Sequence, residues 1–132
     1  MVKSHQSYRN AFNHDCDFKV EYEFYSLENG GREKLPHQGI RSDFWYECDN
    51  HDDPNNHYMI YPEYENKKGE LISSGPVLKK GIARMWILNT KYRKYHQQRI
   101  KINTIGYFQE GNTRTGVCKV IEIVGLHENP TE

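Results

Sequence analysis

The sequence predicts an all-β protein built as an antiparallel barrel or sandwich. Apolar and polar residues alternate in several short segments, glycine- and proline-containing turns separate those segments, and no segment shows a convincing amphipathic helix. The chain has 132 residues, of which 36% are hydrophobic and 13% aromatic, so it suits one compact domain with a core built largely from rings. We therefore expect one core and six strands.

The first predicted strand shows the clearest alternation. In the segment DFKVEYEFYSL, which begins at Asp17, every second residue from Phe18 to Phe24 is apolar and the residues between them are mostly charged. The other strands are predicted in SDFWYEC, HYMIYP, IARMWIL, RIKINTIGYF and GVCKVIEIVGL. Predicted core residues are Phe18, Val20, Tyr22, Phe24, Phe44, Tyr46, Ile87 and Val120. Residues 1–16 are predicted to form a flexible arm, residues 17–126 the β domain and residues 127–132 a tail.

The composition indicates a cytoplasmic protein with reduced thiols. The chain begins without the apolar run of a secretory signal, and no segment approaches the roughly 20 apolar residues of a membrane span. The three cysteines, Cys16, Cys48 and Cys118, are odd in number and widely spaced, which does not suggest a disulfide framework. The formal net charge is zero, although residues 1–70 carry 8 Lys and Arg against 14 Asp and Glu, and residues 71–132 carry 10 against 4.

The order of several motifs resembles the carboxy-terminal (third) domain of elongation factor Tu. The motifs are ENGGR, then Pro36, Gly39 and Arg41, then DFWYE, KKGIARMWIL and finally FQEGNTRTGVCKVIEI. They span about Asp17 to Leu126, nearly the whole chain. The resemblance implies a six-stranded antiparallel β-barrel that presents a partner-binding surface. The residues it implies for that surface are Arg32, Arg41, Asp43, Trp45, Glu110, Gly111 and Arg114.

Departures from the family pattern narrow the implied function. The phosphate-binding loop GxxxxGK[ST] does not occur, so GTP hydrolysis is not expected. In the family, a glutamine and the glutamate of the terminal motif meet the T-stem backbone of aminoacyl-tRNA. Glu110 matches that glutamate, but Asp43 replaces the glutamine and adds a charge that phosphate repels. The resemblance thus implies a stand-alone binding module without the carrier activity of the whole factor.

A basic and aromatic segment at residues 91–101 has three interpretations. It lies within the long interval between Glu70 and Glu110, which contains no acidic residue. Its candidate contact residues are Lys91, Arg93, Lys94, Tyr95, Arg99 and Lys101. Cations neutralise phosphates and rings stack on unpaired bases, so the segment suits RNA; it also suits an acidic protein, or is a solvated connector between strands.

Trp45 also has two interpretations. If Phe44 and Tyr46 face the core, the intervening Trp45 faces outward, where an exposed indole suits a partner anchor. Alternatively, Trp45 belongs to the core at the far end of the barrel, or the amino-terminal arm covers it.

The sequence gives little support for a metal site or a catalytic site. His14-x-Cys16 and Cys48-x-x-His51 lack regular zinc-ligand spacing, and DNHDDPNNH lacks the glycine and terminal glutamate of a calcium-binding hand. Cys118 lies in an alternating strand, which indicates a buried structural thiol. We expect no enzymatic activity, no cofactor, no metal and no small-molecule substrate.

These observations favour a non-catalytic, protein-binding module. The expected partner is a toxin domain or a translation factor, and an immunity protein that neutralises a nuclease toxin is one concrete form. A tRNA- or RNA-binding protein and an accessory translation-factor subunit are the alternatives.

Overall fold

The computed structural model describes residues 7–32, 34–49, 57–111 and 113–131. Seven strands in these ranges form one antiparallel sheet in the order β3-β2-β6-β7-β1-β5-β4. The strands are β1 (Phe18–Phe24), β2 (Asp43–Tyr46), β3 (His57–Tyr58), β4 (Ile60–Tyr64), β5 (Lys80–Ile87), β6 (Ile105–Glu110) and β7 (Thr113–Ile123). The helices are α1 (Tyr8–Phe12) and α2 (Arg93–Arg99), with 3₁₀ turns at Leu27–Asn29 and Thr90–Tyr92. The all-β, barrel-like fold is confirmed.

The predicted number of six strands is wrong, because the predicted third strand divides at Met59. On one side of the division, β3 pairs with β2, and on the other side β4 pairs with β5. β3 and β4 are the two ends of the strand order, so one short stretch of chain runs from one edge of the sheet to the other. The sheet consequently curls into a half-barrel.

The concave face of the sheet holds an aromatic core. All eight predicted core residues are buried, so this prediction is confirmed. The Tyr22 ring packs edge-on against Phe24 and Tyr64, with centroids 5.3 and 5.0 Å apart. Space for the Phe44 ring exists because residue 106 is glycine: a Cβ there would lie 2.3 Å from Phe44 Cζ.

A glutamine side chain closes the outer edge of β4. The amide group of Gln38 donates to the carbonyl oxygens of Tyr64 and Ile72, at 2.8 and 2.9 Å, and its oxygen accepts from the Tyr64 amide at 2.8 Å. These are the bonds that a neighbouring strand would make to Tyr64. Gln38 and the Ile72 amide, which donates to the Tyr64 carbonyl at 3.1 Å, together satisfy backbone groups that an edge strand otherwise leaves open.

The described residues near both chain ends contact the sheet or its first strand, although the sequence predicts a flexible arm and a tail there. In the described part of the arm, α1 lies against Trp86, and Cys16 is buried. In the predicted tail, the buried Asn129 donates from Nδ2 to Asp15 O at 2.9 Å and to Asp17 Oδ1 at 3.0 Å. Sequence periodicity missed these contacts because single polar side chains and short ring clusters make them. Residues 1–6 lie outside the described residues.

None of the helices in the described ranges is long and apolar enough to cross a membrane.

Candidate binding site

The basic segment folds into a helix, which the sequence analysis did not predict. A 3₁₀ turn, in which the Asn89 side chain accepts from the Lys91 amide at 3.2 Å, leads directly into α2. The inward positions of this region are Arg93, His96 and Ile100, spaced three and four residues apart. Because two of the three are polar, the helix lacks the apolar periodicity that normally identifies an amphipathic helix.

Arg93 anchors α2 to the sheet and is buried. Its Nε lies 3.0 Å from Asp17 Oδ1, and its Nη2 donates to the Ile87 carbonyl at 3.0 Å. Asp17, also buried, accepts the Ile87 amide at 2.8 Å. The prediction of Arg93 as a surface contact is therefore wrong, since its charge is used inside the protein.

Arg99 forms a second ion pair beneath the surface of α2. Its Nη2 and Nη1 lie 2.7 and 3.2 Å from the two carboxylate oxygens of Asp49, and its guanidinium stacks 3.9 Å from the Tyr46 ring centre. Nη1 also donates to the Tyr95 hydroxyl. The hydrogen bonds to Asp49 raise the pKa of Arg99 above its ordinary value. Arg99 is thus predominantly a structural residue, in contrast to its predicted role as a partner contact.

The buried His96 completes this layer. Burial lowers its pKa to about 4, with further lowering from the charges of Arg99 and Arg93, so the imidazole is neutral at pH 7. Burial also raises the pKa of Tyr46, which keeps its hydroxyl protonated. The Tyr46 hydroxyl donates to His96 Nδ1 at 2.7 Å. Arg99, Tyr46 and His96 therefore form a fixed polar layer under the outer rings.

An open cleft lies above this layer. We call it the tyrosine cleft; it has a volume of about 400 Å³ and is lined by His57, Tyr58, Tyr92 and Tyr95. The Tyr58 hydroxyl donates to the Tyr95 hydroxyl at 3.3 Å, and His57 Nδ1 donates to Asp43 Oδ2 at 2.9 Å. A second, smaller hollow of about 130 Å³ adjoins the cleft. His57, Tyr58 and Tyr92 line both, and Met59 lines the smaller one.

Several large side chains around the tyrosine cleft are exposed to solvent. Tyr92 and Met59 are each 49% exposed and Tyr95 is 42% exposed. Lys91 and Lys94, which flank Tyr92 in the chain, are exposed, as is Lys101. The role of these three lysines as contacts stays a prediction. The cleft therefore combines aromatic surface with positive charge.

A second cluster, the hairpin end, gathers five of the seven residues implied by the resemblance: Arg32, Asp43, Glu110, Gly111 and Arg114. Arg32 pairs with Glu110 at the end of β6. Asp43 and Arg114 are the two cross-strand neighbours of Gln109, and Gly111 turns the chain with φ of +58°. The Arg114 guanidinium stacks 3.7 Å from the Tyr107 ring centre. Most charges at the hairpin end thus interact with groups of the chain itself.

The other two residues implied by the resemblance lie elsewhere on the outer surface. Trp45 is only 7% exposed and stacks on the His57 ring at 6.2 Å, so the exposed-anchor interpretation is wrong. Arg41 is exposed near Tyr8 and Tyr61. Burial raises the pKa of both phenols, and the charge of Arg41 partly opposes that rise.

The cysteines show no catalytic arrangement among the described residues. Cys118 is buried as predicted, and burial raises its pKa to about 12. Cys16 is also buried, with a pKa raised to about 11 by burial, whereas Cys48 is exposed with its sulfur 3.1 Å from Arg99 Nη2. Within the described ranges, no three His, Cys, Asp or Glu side chains are grouped as metal ligands. His51 and most of the predicted acidic loop lie outside those ranges.

Compared with known proteins, the chain matches no family model and no curated protein. The resemblance to elongation factor Tu accordingly rests on motif order alone.

Proposed function

We propose that the chain is a non-catalytic protein-binding module that docks an acidic partner surface in the tyrosine cleft. The observation that carries the proposal is the exposure of Tyr92, Tyr95 and Met59 beside an open, ring-lined cleft. Tyrosine and methionine are enriched in protein interfaces, and centrally placed aromatic side chains supply much of the binding energy. No chemical step is needed for this function.

The layer beneath the cleft supports the proposal because it holds the rings in place before binding. Arg99 joins Asp49, Tyr46 and Tyr95, while Tyr46 is held in turn by His96. Side chains that are already ordered lose less conformational entropy when a partner binds. A fixed layer of this kind suits a docking surface more than a solvated loop.

The charge around the cleft indicates the chemistry of the partner. Lys91 and Lys94 are exposed, whereas two carboxylates near the cleft are already paired: Asp49 with Arg99 and Asp43 with His57. Complementary charges accelerate association and reject partners of like charge. An acidic protein surface therefore fits this rim.

The resemblance extends the proposal to a more specific form: an immunity protein that presents part of an elongation factor Tu surface to a nuclease toxin. The clustering of five implied residues at the hairpin end supports this form. Its test is the titration of the purified chain with any toxin domain encoded beside its gene. Failure to bind excludes the immunity function. It does not bear on the general proposal of a protein-binding cleft, which has its own test.

The general proposal is tested by capturing partners on the chain and on the variant Y92A/Y95A, with and without ribonuclease. A partner retained after ribonuclease is then purified and titrated against both proteins. We expect the double substitution to weaken binding at least tenfold, because it removes two exposed rings of the cleft. L27A is the matched control, since Leu27 is more exposed than either tyrosine and lies away from the cleft. Equal losses in the two proteins, or no loss in Y92A/Y95A, contradict the proposal.

A second candidate is binding of single-stranded RNA at the same cleft. Accessible rings beside Lys91 and Lys94 favour it, because bases stack on rings while lysines meet phosphates. Against it, Arg93 and Arg99 are engaged internally, which leaves three of the five predicted cations for phosphate. RNA binding predicts an affinity that falls steeply with salt and weakens in K91A/K94A/K101A. Partner binding that survives ribonuclease instead favours the first proposal.

A further inference from the structure

A separate aromatic surface lies on the outer wall of the sheet, under the chain's own first helix. We call Glu63 of β4 and Trp86 of β5 the Trp86 wall. The rings of Tyr8, Phe12 and His14 lie 5.7, 6.0 and 5.8 Å from Trp86. Trp86 is 2% exposed in this arrangement, whereas α1 itself contains no buried residue. The segment therefore covers the wall without being enclosed by it.

The Trp86 wall also contains a hydrogen-bond acceptor for a peptide backbone. Glu63 is fully buried, and its Oε1 accepts from the Trp86 indole at 2.9 Å. Its Oε2 accepts from the backbone amide of Tyr8 at 3.0 Å. Backbone amides at the start of a helix lack partners within the helix, so a carboxylate placed there can bind a helix start of almost any sequence. The wall thus combines a ring surface with a fixed point of attachment.

Two features indicate that α1 covers the wall incompletely. Phe12 is 40% exposed although its ring contacts Trp86. A cavity of about 300 Å³ remains between the segment and the sheet. Its lining includes Arg9 and Asp15 on the segment side and Lys19, Arg84 and Trp86 on the sheet side.

We propose that the Trp86 wall is a second docking site, for a short helix of a partner protein with two aromatic side chains four residues apart. The spacing follows from Tyr8 and Phe12, which stack on each other at 5.8 Å and both contact Trp86. In the free protein α1 occupies this site and competes with the partner. The site shares no residue with the tyrosine cleft, so the inference stands independently of the function proposed there.

Covalent linkage makes α1 an effective competitor despite its few contacts. A segment tethered by a few residues is present at its site at an effective concentration of about millimolar. The apparent affinity for a partner falls in proportion to the fraction of molecules in which the site is open. Weakening α1 should therefore strengthen the binding of a helix supplied from outside.

The test uses a labelled peptide of residues 7–16, with serine in place of Cys16, as the probe for the site. It is titrated against the full chain, against F12D and against the control N10D. The Phe12 substitution replaces a ring on Trp86 with a charge, whereas Asn10 is exposed on the same helix. We expect F12D to bind the peptide at least tenfold more tightly than N10D and the unsubstituted chain do. Binding that is no tighter in F12D, or no binding to any of the three, overturns the proposal.

A second measurement does not depend on the folding of a variant. Hydrogen exchange at the Tyr8–Phe12 amides of the unsubstituted chain is compared with and without excess unlabelled peptide. We expect exchange at these amides to accelerate as the peptide displaces α1, while exchange in β1 stays unchanged. Unaltered exchange of α1 at the highest peptide concentration overturns the proposal even if F12D fails to fold.

Discussion

The hairpin end and the tyrosine cleft both contain cations and aromatic rings. They differ in whether the ion pair or the rings are the more exposed groups. At the hairpin end, the Arg32–Glu110 pair is partly exposed. At the cleft, the Arg99–Asp49 pair lies under rings that are more exposed than the pair itself. At the hairpin end the ion pair is itself part of the surface that a partner would meet, whereas at the cleft the ion pair supports the rings that a partner would contact.

The largest effect is expected from removing Arg93, which anchors α2, and with it one side of the cleft, to the sheet. R93A leaves the buried carboxylate of Asp17 without its cation, and breaking a buried pair in this way costs about 3–5 kcal/mol. Urea unfolding measures the change in free energy. K94A, which alters the exposed neighbour, is the control and should change stability by less than about 0.5 kcal/mol. A loss below about 1 kcal/mol in R93A contradicts the structural role of this pair.

The next effect concerns the pH dependence of the layer beneath the cleft. The folded-state pKa of His96 is about 4, below the ordinary value of 6.5, so the unfolded chain binds a proton first as the pH falls. Stability is retained above pH 6.5 and is lost between pH 6.5 and 4, by roughly 3 kcal/mol from this group. Urea unfolding across this range should show a shallower fall in H96Q than in the unsubstituted chain. H37Q, which alters an exposed histidine, should keep the original slope.

A smaller effect is expected where the two regions meet, at β6. In G106A the new methyl group would lie 2.3 Å from the Phe44 ring and 3.0 Å from the Trp45 carbonyl. Overpacking of this kind costs about 1–3 kcal/mol, measured by thermal or urea unfolding. G81A is the matched control in β5, because a Cβ there meets its nearest neighbour at an ordinary 3.5 Å. Equal stability of the two variants would show that β2 moves freely against β6.

The smallest effect is expected at the hairpin end. R32A removes a partly exposed ion pair with Glu110, which typically contributes about 0.2–1 kcal/mol and is screened by salt. A double-mutant cycle with E110Q, repeated at low and high salt, measures this coupling. A coupling above about 2 kcal/mol would remove the contrast between the two regions, because the surface pair would then be as structural as a buried one.

The sequence predicted those parts of the fold that depend on local alternation. The alternation of apolar and charged residues from Phe18 to Phe24 predicts β1 and its buried face directly. The division at Met59 was not predictable, because it depends on which neighbour each half of the segment pairs with.

The cleft was less predictable than the fold. Its two sides, Tyr58 and Tyr95, are 37 residues apart in the chain, and only the turn into α2 brings them together. The sequence did not predict α2, because Arg93 and His96 occupy inward positions that are apolar in most helices. Polar residues at such positions are recognised only when their partners, Asp17 and Tyr46, are seen beside them.

The side chain of Gln38 has a consequence for the behaviour of partly folded molecules. It closes the Tyr64 end of β4 from a loop 26 residues earlier in the chain, together with the Ile72 amide, so the Tyr64 amide stays open until that loop has docked. An open edge is a template on which a strand from another molecule can add. This end of β4 is therefore protected from intermolecular pairing only after both Gln38 and the Ile72 segment have docked, and we expect refolding at high protein concentration to favour aggregation.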